Sequence, residues 1–528
     1  MAGVPCLGRT HPATLATTAL ATAVLVAGCA IGPLGGTPSD LPLADTNCIR
    51  LIAALDAQVA AAGVRDAGTA RVEGFRTLRV DRLLASYAAE PMDAARFGDW
   101  IAALRALDRN ARGIEFANLP PAARERIVTA VRALPADAGA AGAGDDARID
   151  ACAERVLALD LAVPGARAWI KSAATVPDDY NDWARAAGLY PLTGFGYAAG
   201  IRVYERRTRE AYAQPLAELP RAGAWHVLRP AMPSSPDPTA IGRIAAALVG
   251  SDAFPPAARA DAADVERLFA AYAPTFAIDA ASPADRPGRV ILGADGRASV
   301  DGAAVSVTTR LAWTRYDGAL LPQLVYTLWF PERPPEFPGD PLAGRLDGLV
   351  WRVTLDRDGA PLVFDTIHPC GCFHQFIPTA RLAAKPAEPT VEEGALVVQT
   401  LPPLDPGARV LLVVASGTHF LRRVIPGRML PAELQGPDVT AAVSTYTIMP
   451  DDALRRVPDG SGGTRSLFGP DGLVAGTERP ERSIFWPTGI VSAGAMRQWG
   501  RHATAFVGRR HFDEPFLIER YFTRAARP

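Results

Sequence analysis

Residues 367–376 read IHPCGCFHQF, the densest run of imidazole and thiol in the chain. His368, Cys370, Cys372 and His374 occupy every second position, so an extended chain would project all four from one face. The run follows the apolar stretch Leu362–Ile367 and keeps the parity of Leu362 and Phe364. Same-face neighbours in a strand lie roughly 6.6 Å apart, and a metal–sulfur bond is about 2.3 Å, so adjacent pairs could share an ion. His368 and His374 would be roughly 20 Å apart in a flat strand. A four-ligand site therefore needs the bend that Pro369 and Gly371 permit. Sulfur beside imidazole suits zinc or copper rather than magnesium or calcium, with His419, His502 and His511 as remote ligands.

Two other readings of these residues stand beside the metal one. A Cys370–Cys372 disulfide requires Gly371 to fold inward, because an extended pair sits at the upper end of the roughly 4.4–6.8 Å Cα range of such bridges. Plain packing of buried thiols and imidazoles at a strand end is the third. A Cys370 or Cys372 nucleophile assisted by His374 is chemically conceivable. Ser416 lies three residues before His419, but a triad is a spatial arrangement that one sequence does not establish. GxSxG, HExxH, CxxC and CxxCH are absent. GFGYAAG at 194–200 lacks both the spacing and the lysine of a phosphate loop.

The elements that must hold these residues change character along the chain. From 45 to 275 the pattern is mainly helical. Ile49, Ile52, Leu55 and Val59 recur at helical steps behind Asp45 and Thr46. Val80–Tyr87, Phe97–Leu104, 121–134, 148–163 and 239–273 repeat the spacing, whereas 174–236 is less regular. Residues 135–146 (PADAGAAGAGDD) read as a flexible loop. From 276 to 528 the period turns to two. Val305–Trp313 alternates, Asp317-Gly318 marks a turn, and Leu324–Phe330 is a bulky apolar strand. Trp351–Leu355, the turn DRDG and Leu362–His368 form the clearest hairpin, and Val410–Ala415 and Val443–Met449 read as further strands. The spacing of Met496, Trp499 and His502 predicts a late helix near 493–506. The expected fold is α+β: a helical N-terminal region packed with or linked to an antiparallel β-rich C-terminal region. No repeat of 20–50 residues is visible.

The chain's 528 residues exceed one ordinary domain of roughly 100–200. Its net charge of −1 gives no pull toward nucleic acid. Lys171 and Lys385 are the sole lysines among 55 basic residues, and the scattered arginines fit codon bias better than a binding patch. Arg497, Arg501, Arg509 and Arg510, around His502 and His511, read as salt-bridged surface more readily than as an anion site.

The N-terminus carries an address. Arg9 precedes an apolar stretch, Ala13–Ala27, closed by small residues, the pattern of a secretory signal. Val26-Ala27-Gly28-Cys29 resembles the lipobox of bacterial lipoproteins. That resemblance covers about the first thirty residues. It implies cleavage after residue 28, lipid on Cys29, palmitate-type acylation of the new terminus, and sorting to the outer membrane facing the periplasm. Residues 1–28 would then be signal peptide and 29–44, rich in Gly and Pro, a tether. The membrane is the expected partner through this lipid, with an unidentified envelope protein or ligand beside it and no nucleic acid. In an oxidising envelope the even count of Cys48, Cys152, Cys370 and Cys372 points to disulfides. The simplest pairing joins Cys48 to Cys152 in the helical segments. The expected function is a non-catalytic binding or structural envelope protein; the alternative is a metal- or thiol-dependent envelope enzyme centred on HPCGCFH.

Overall fold

The computed structural model describes residues 42–135, 144–231, 237–249, 261–387, 390–434, 442–460 and 462–526. The signal peptide, Cys29, most of the tether and residues 136–143 of the proposed loop lie outside them. The architecture is α+β, with helices mostly in the N-terminal half and a large curled mixed sheet assembled mainly from the C-terminal half.

The longer helices are α1 (Leu43–Ala62), α2 (Ala94–Ala117), α3 (Pro121–Arg132), α4 (Asp145–Ala162), α5 (Tyr190–Ala213), α6 (Pro238–Val249) and α7 (Ala262–Tyr272). Local chemistry sets their ends. Asp93 accepts from the Arg96 amide to start α2, and Asp261 accepts from the Ala263 amide to start α7. Gly63, at φ 65°, closes α1 with its amide on the Ala60 carbonyl. Leu51, Ile52, Leu55 and Val59 of α1 pack with residues of α3 and α4, and Cys48 is disulfide-bonded to Cys152 there, Cα atoms 4.9 Å apart.

Ten strands form the main sheet: β1 (Ala224–Pro230), β2 (Thr275–Ala280), β3 (Ser306–Tyr316), β4 (Ala319–Arg333), β5 (Gly344–Leu355), β6 (Pro361–Ile367), β7 (Gln375–Pro378), β8 (Val410–Val414), β9 (Leu421–Pro426) and β10 (Ala442–Pro450). Their order is β7-β6-β5-β4-β3-β10-β1-β2-β8-β9. Strands β3 to β7 are an antiparallel meander. Its first turn is the two-residue Asp317-Gly318, with φ of 52° and 68°, the left-handed geometry that matches strand twist. Strand β10 pairs parallel with both β1 and β3, and β2 pairs parallel with β8, so the sheet is mixed rather than wholly antiparallel.

The boundary near residue 275 does not divide this sheet, because β1 comes from the stretch that sequence periodicity left irregular. Nor does it divide the core. Phe75, Trp100 and Leu104 share one buried cluster with Tyr326, Trp351 and Phe364. A buried ion pair adds to the junction: Arg455 Nη2 lies 2.8 Å from Asp66. The Arg455 carbonyl also accepts from Asn118 at 2.8 Å.

The late helix expected at 493–506 is not there. These residues are turns and bends, and Gly494 and Gly500 adopt φ of 85° and 88°, outside the helical region. Their apolar residues pack on the sheet from an irregular chain: Met496 is buried with Trp329 and Cys370. Conversely, GFGYAAG lies inside α5, where its glycines tolerate a helix that exposes most of its surface.

Candidate functional site

The IHPCGCFHQF run is the connection from β6 to β7, and it is bent rather than extended. The Gly371 amide donates to the His368 carbonyl at 2.8 Å, and the His368 amide to the Cys372 carbonyl at 3.0 Å. Gly371 sits at φ 93°, and a Cβ there would lie 2.3 Å from the Ala503 carbonyl oxygen, so only glycine fits. Phe373 is also left-handed, at φ 63°. The turn breaks the shared parity of the four side chains.

Two separate imidazole–carboxylate arrangements result. In the first, Asp347 of β5 accepts from two histidines: His368 Nδ1 at 3.1 Å and His419 Nδ1 at 2.8 Å. His419 Nε2 then lies 3.4 Å from Asp285. Arg479 reaches Asp347 at 3.4 Å and donates to the Leu346 carbonyl at 3.0 Å. All these groups are buried. Burial alone would raise the Asp347 carboxyl, but His368, His419 and Arg479 hold it well below the usual carboxylate range. Burial likewise opposes charge on His419, yet its two carboxylates win and raise it. On His368 desolvation wins and pushes the ring below its ordinary value. The buried carboxylates thus have imidazole and guanidinium groups as partners, the condition that makes buried charge tolerable. Leu346 (φ 51°) and His419 (φ 53°) adopt the left-handed backbone that side chains avoid, and both flank this chain of groups.

In the second, His374 Nε2 meets Asp365 at 2.9 Å, and Asp365 also accepts from Arg352 Nε at 2.8 Å. Burial pushes His374 down to about 4, so it is neutral.

The structure therefore brings His419 to His368 through Asp347, and keeps His374 apart from them. His502 is neutral, pushed to about 3 by burial and Arg497. His511 lies among Asp178, Asp179 and Glu514 at 3.4–3.6 Å. Among the described residues no group of three or more His, Cys, Asp or Glu is placed to hold a metal ion. The candidate ligands are not gathered at one point: His368 and His419 meet at Asp347, while His374 is held apart at Asp365. Of the alternative readings, the Cys370–Cys372 disulfide is not formed: both are buried free thiols. A hydrogen bond from Cys372 lowers the Cys370 thiol and holds Cys372 protonated. Ser416 is no nucleophile in waiting, since its Oγ donates to Asp285 at 2.9 Å rather than to an imidazole.

Beside the bent run lies a cavity of about 390 Å³, within the roughly 300–1,000 Å³ range of small-molecule sites. The inner face of α5 forms one wall with Gly196, Tyr197, Gly200, Ile201 and Tyr204. Cys372, Phe373 and His374 form another, and Phe485, Phe506 and Leu396 close it. Three carboxylates and one guanidinium border it: Glu205, Glu393, Glu481 and Arg510. Glu393 accepts from the amides of Phe506 and Val507 at 2.5 and 2.9 Å and lies 3.6 Å from Arg510. Arg510 donates to the Gly394 carbonyl at 2.7 Å. Of the four arginines read as surface, Arg497 and Arg510 are in fact buried. Burial pushes Glu481 up to about 7.

Sequence reasoning found His368, Cys372, His374 and His419 and missed Asp347, Glu393 and Glu481. Asp347 had a signal, a carboxylate inside the apolar strand LDGLVWRV, which burial makes costly without partners. Glu481 had none; it stands in an irregular segment whose path only the fold decides. Comparison with family models, curated proteins and solved structures finds no match to this chain.

Proposed function

We propose that this chain is a lipid-anchored envelope protein, held at the outer membrane through Cys29, that binds an apolar small molecule without changing it. The observation that carries the binding reading is the aromatic cavity between α5 and Phe373, walled by Tyr197, Tyr204, Phe485 and Phe506. Aromatic walls with a few polar groups are the usual make-up of ligand sites. The Cys48–Cys152 bridge fits an oxidising compartment, and among the described residues no helix is long and apolar enough to cross a membrane.

A neutral fluorescent naphthylamine probe tests the cavity. It should brighten on binding and lose that signal in Gly196→Leu and Gly200→Leu. At both glycines an added Cβ meets nothing within 4 Å, so the new side chains fill the space without displacing the fold. Equal brightening in wild type and both variants rejects the cavity as the site. Labelled palmitate tests the anchor: incorporation into wild type and none into Cys29→Ser is expected.

A thiol-dependent enzyme remains the second reading, favoured by Cys372 lining the same cavity beside Cys370. Alkylation of Cys372 that is blocked by a bound probe places the thiol at the ligand but does not by itself demand turnover.

A further inference from the structure

We infer that the cavity is built for an organic cation, an amine carried on an apolar body, with Glu481 as its counter-ion. This rests on the cavity being a ligand site and adds the chemical class of the ligand.

Two of the three carboxylates at the cavity are already satisfied. Glu393 has two backbone amides and Arg510. Glu205 has Arg209 at 3.4 Å. Glu481 is 2% exposed, and among the described residues no hydrogen bond or ion pair reaches its carboxylate. The neighbouring guanidinium of Arg479 is directed to Leu346 and Asp347 instead. A buried carboxylate without a donor is costly, yet the fold makes room for this one: a Cβ at Gly494 would lie 2.1 Å from Glu481 Oε1, and Gly494 takes φ 85°.

The charges around the space point the same way. Three carboxylates face one guanidinium, leaving the lining net negative. The rings supply the rest, since the faces of Tyr197, Tyr204, Phe373, Phe485 and Phe506 are negative and attract a desolvated cation. An anion would meet Glu481 without compensation. A neutral apolar molecule would leave the carboxylate as it is, still without a donor. A protonated amine supplies the missing donor, and its hydrocarbon portion fills the space opposite Gly196 and Gly200.

The test compares three molecules of one shape: 4-phenylbutylamine, 4-phenylbutanol and 4-phenylbutyrate. Each is titrated calorimetrically at pH 8 into wild type, Glu481→Gln, Glu481→Asp and Gly200→Leu. The amine should bind wild type at least tenfold more tightly than the alcohol, and the butyrate most weakly. Glu481→Gln should erase the amine's advantage while leaving the alcohol unchanged, which also certifies that the variant folds. Glu481→Asp should keep part of the advantage, and Gly200→Leu should weaken all three. Equal binding of amine and alcohol, or an amine advantage that survives Glu481→Gln, overturns the cation inference and leaves the cavity reading intact. So does binding of the neutral naphthylamine probe when none of the three binds. Failure of all four molecules removes the cavity reading and this inference with it.

Discussion

Asp347 and Glu481 are both buried carboxylates, and their surroundings give them opposite behaviour. Asp347 touches His368, His419 and Arg479, so its charge is stabilised. Removing it would leave the buried Arg479 without its carboxylate and His419 with Asp285 alone, a loss of about 3–5 kcal/mol. Asp347→Asn should therefore lower the denaturant midpoint severely, and an unchanged midpoint would show that the ion cluster contributes nothing. Glu481 is raised from 4.5 to about 7, by burial first. Arg479 and Arg333 oppose the rise, and Asp340 and Asp347 reinforce it; Glu393 and Arg510 border the same cavity. A raised carboxyl binds its proton more tightly when folded, so its contribution to stability is fully present below pH 4.5 and is lost as pH rises to about 7. Glu481→Gln should thus be more stable than wild type at pH 8, by about 3 kcal/mol. The gap should shrink toward zero near pH 4, as chemical denaturation at both pH values would read. A gap independent of pH would contradict the raised carboxyl.

At the scale of elements, the strands were readable where their period was undisturbed. The alternation of Val307, Leu311 and Trp313, the Asp317-Gly318 turn and the DRDG turn all correspond to the β3–β6 meander. Strand β1 escaped because AWHVLRP is short and lies among helices; its partners β2 and β10 are about 50 and 220 residues away. Helix α5 escaped because its glycines depress its propensity, each by roughly 1 kcal/mol relative to alanine. That cost is recoverable: Gly200→Ala should raise thermal stability slightly, by about 0.5–1 kcal/mol. Gly371→Ala should do the reverse, because φ 93° and the Ala503 carbonyl both exclude a methyl group. A loss of at least about 2 kcal/mol is expected, and a neutral result would mean the 368–374 turn can re-form another way. The site was half legible for the same reason. Histidine and cysteine advertise themselves by type, whereas the carboxylates that orient them sit on other elements and are assigned only by folding.

For the whole molecule, the chain's two regions act as one body, since helical residues such as Trp100 share a core with the sheet. The Cys48–Cys152 bridge spans 104 residues, a loop containing α2 and α3 and the Arg79–Asp108–Glu115 ion cluster. Closing a loop of that length stabilises by about 4–5 kcal/mol in the chain-entropy account. The double replacement Cys48→Ala, Cys152→Ala should lower the melting temperature markedly, and reductant should leave that variant's melting unchanged while lowering wild type's. Because the helical region and the sheet share their core, unfolding should stay a single transition in both proteins. Two separate calorimetric peaks would show that the regions melt independently.

Helix α5 buries little beyond Gly194, Ala198 and Tyr212. Much of what fastens it is a few phenolic hydroxyls: Tyr190 accepts from the Gly508 amide at 2.8 Å, Tyr197 donates to the Ile484 carbonyl at 2.7 Å, and Tyr212 donates to Gln375 at 2.9 Å. A wall pinned at points rather than glued along its length detaches more cheaply than the strands behind it. In the proposed ligand site, release should then be clocked by how often those pins let go: escape of a bound probe should quicken when Tyr190 becomes phenylalanine, even though no atom of the lining has changed.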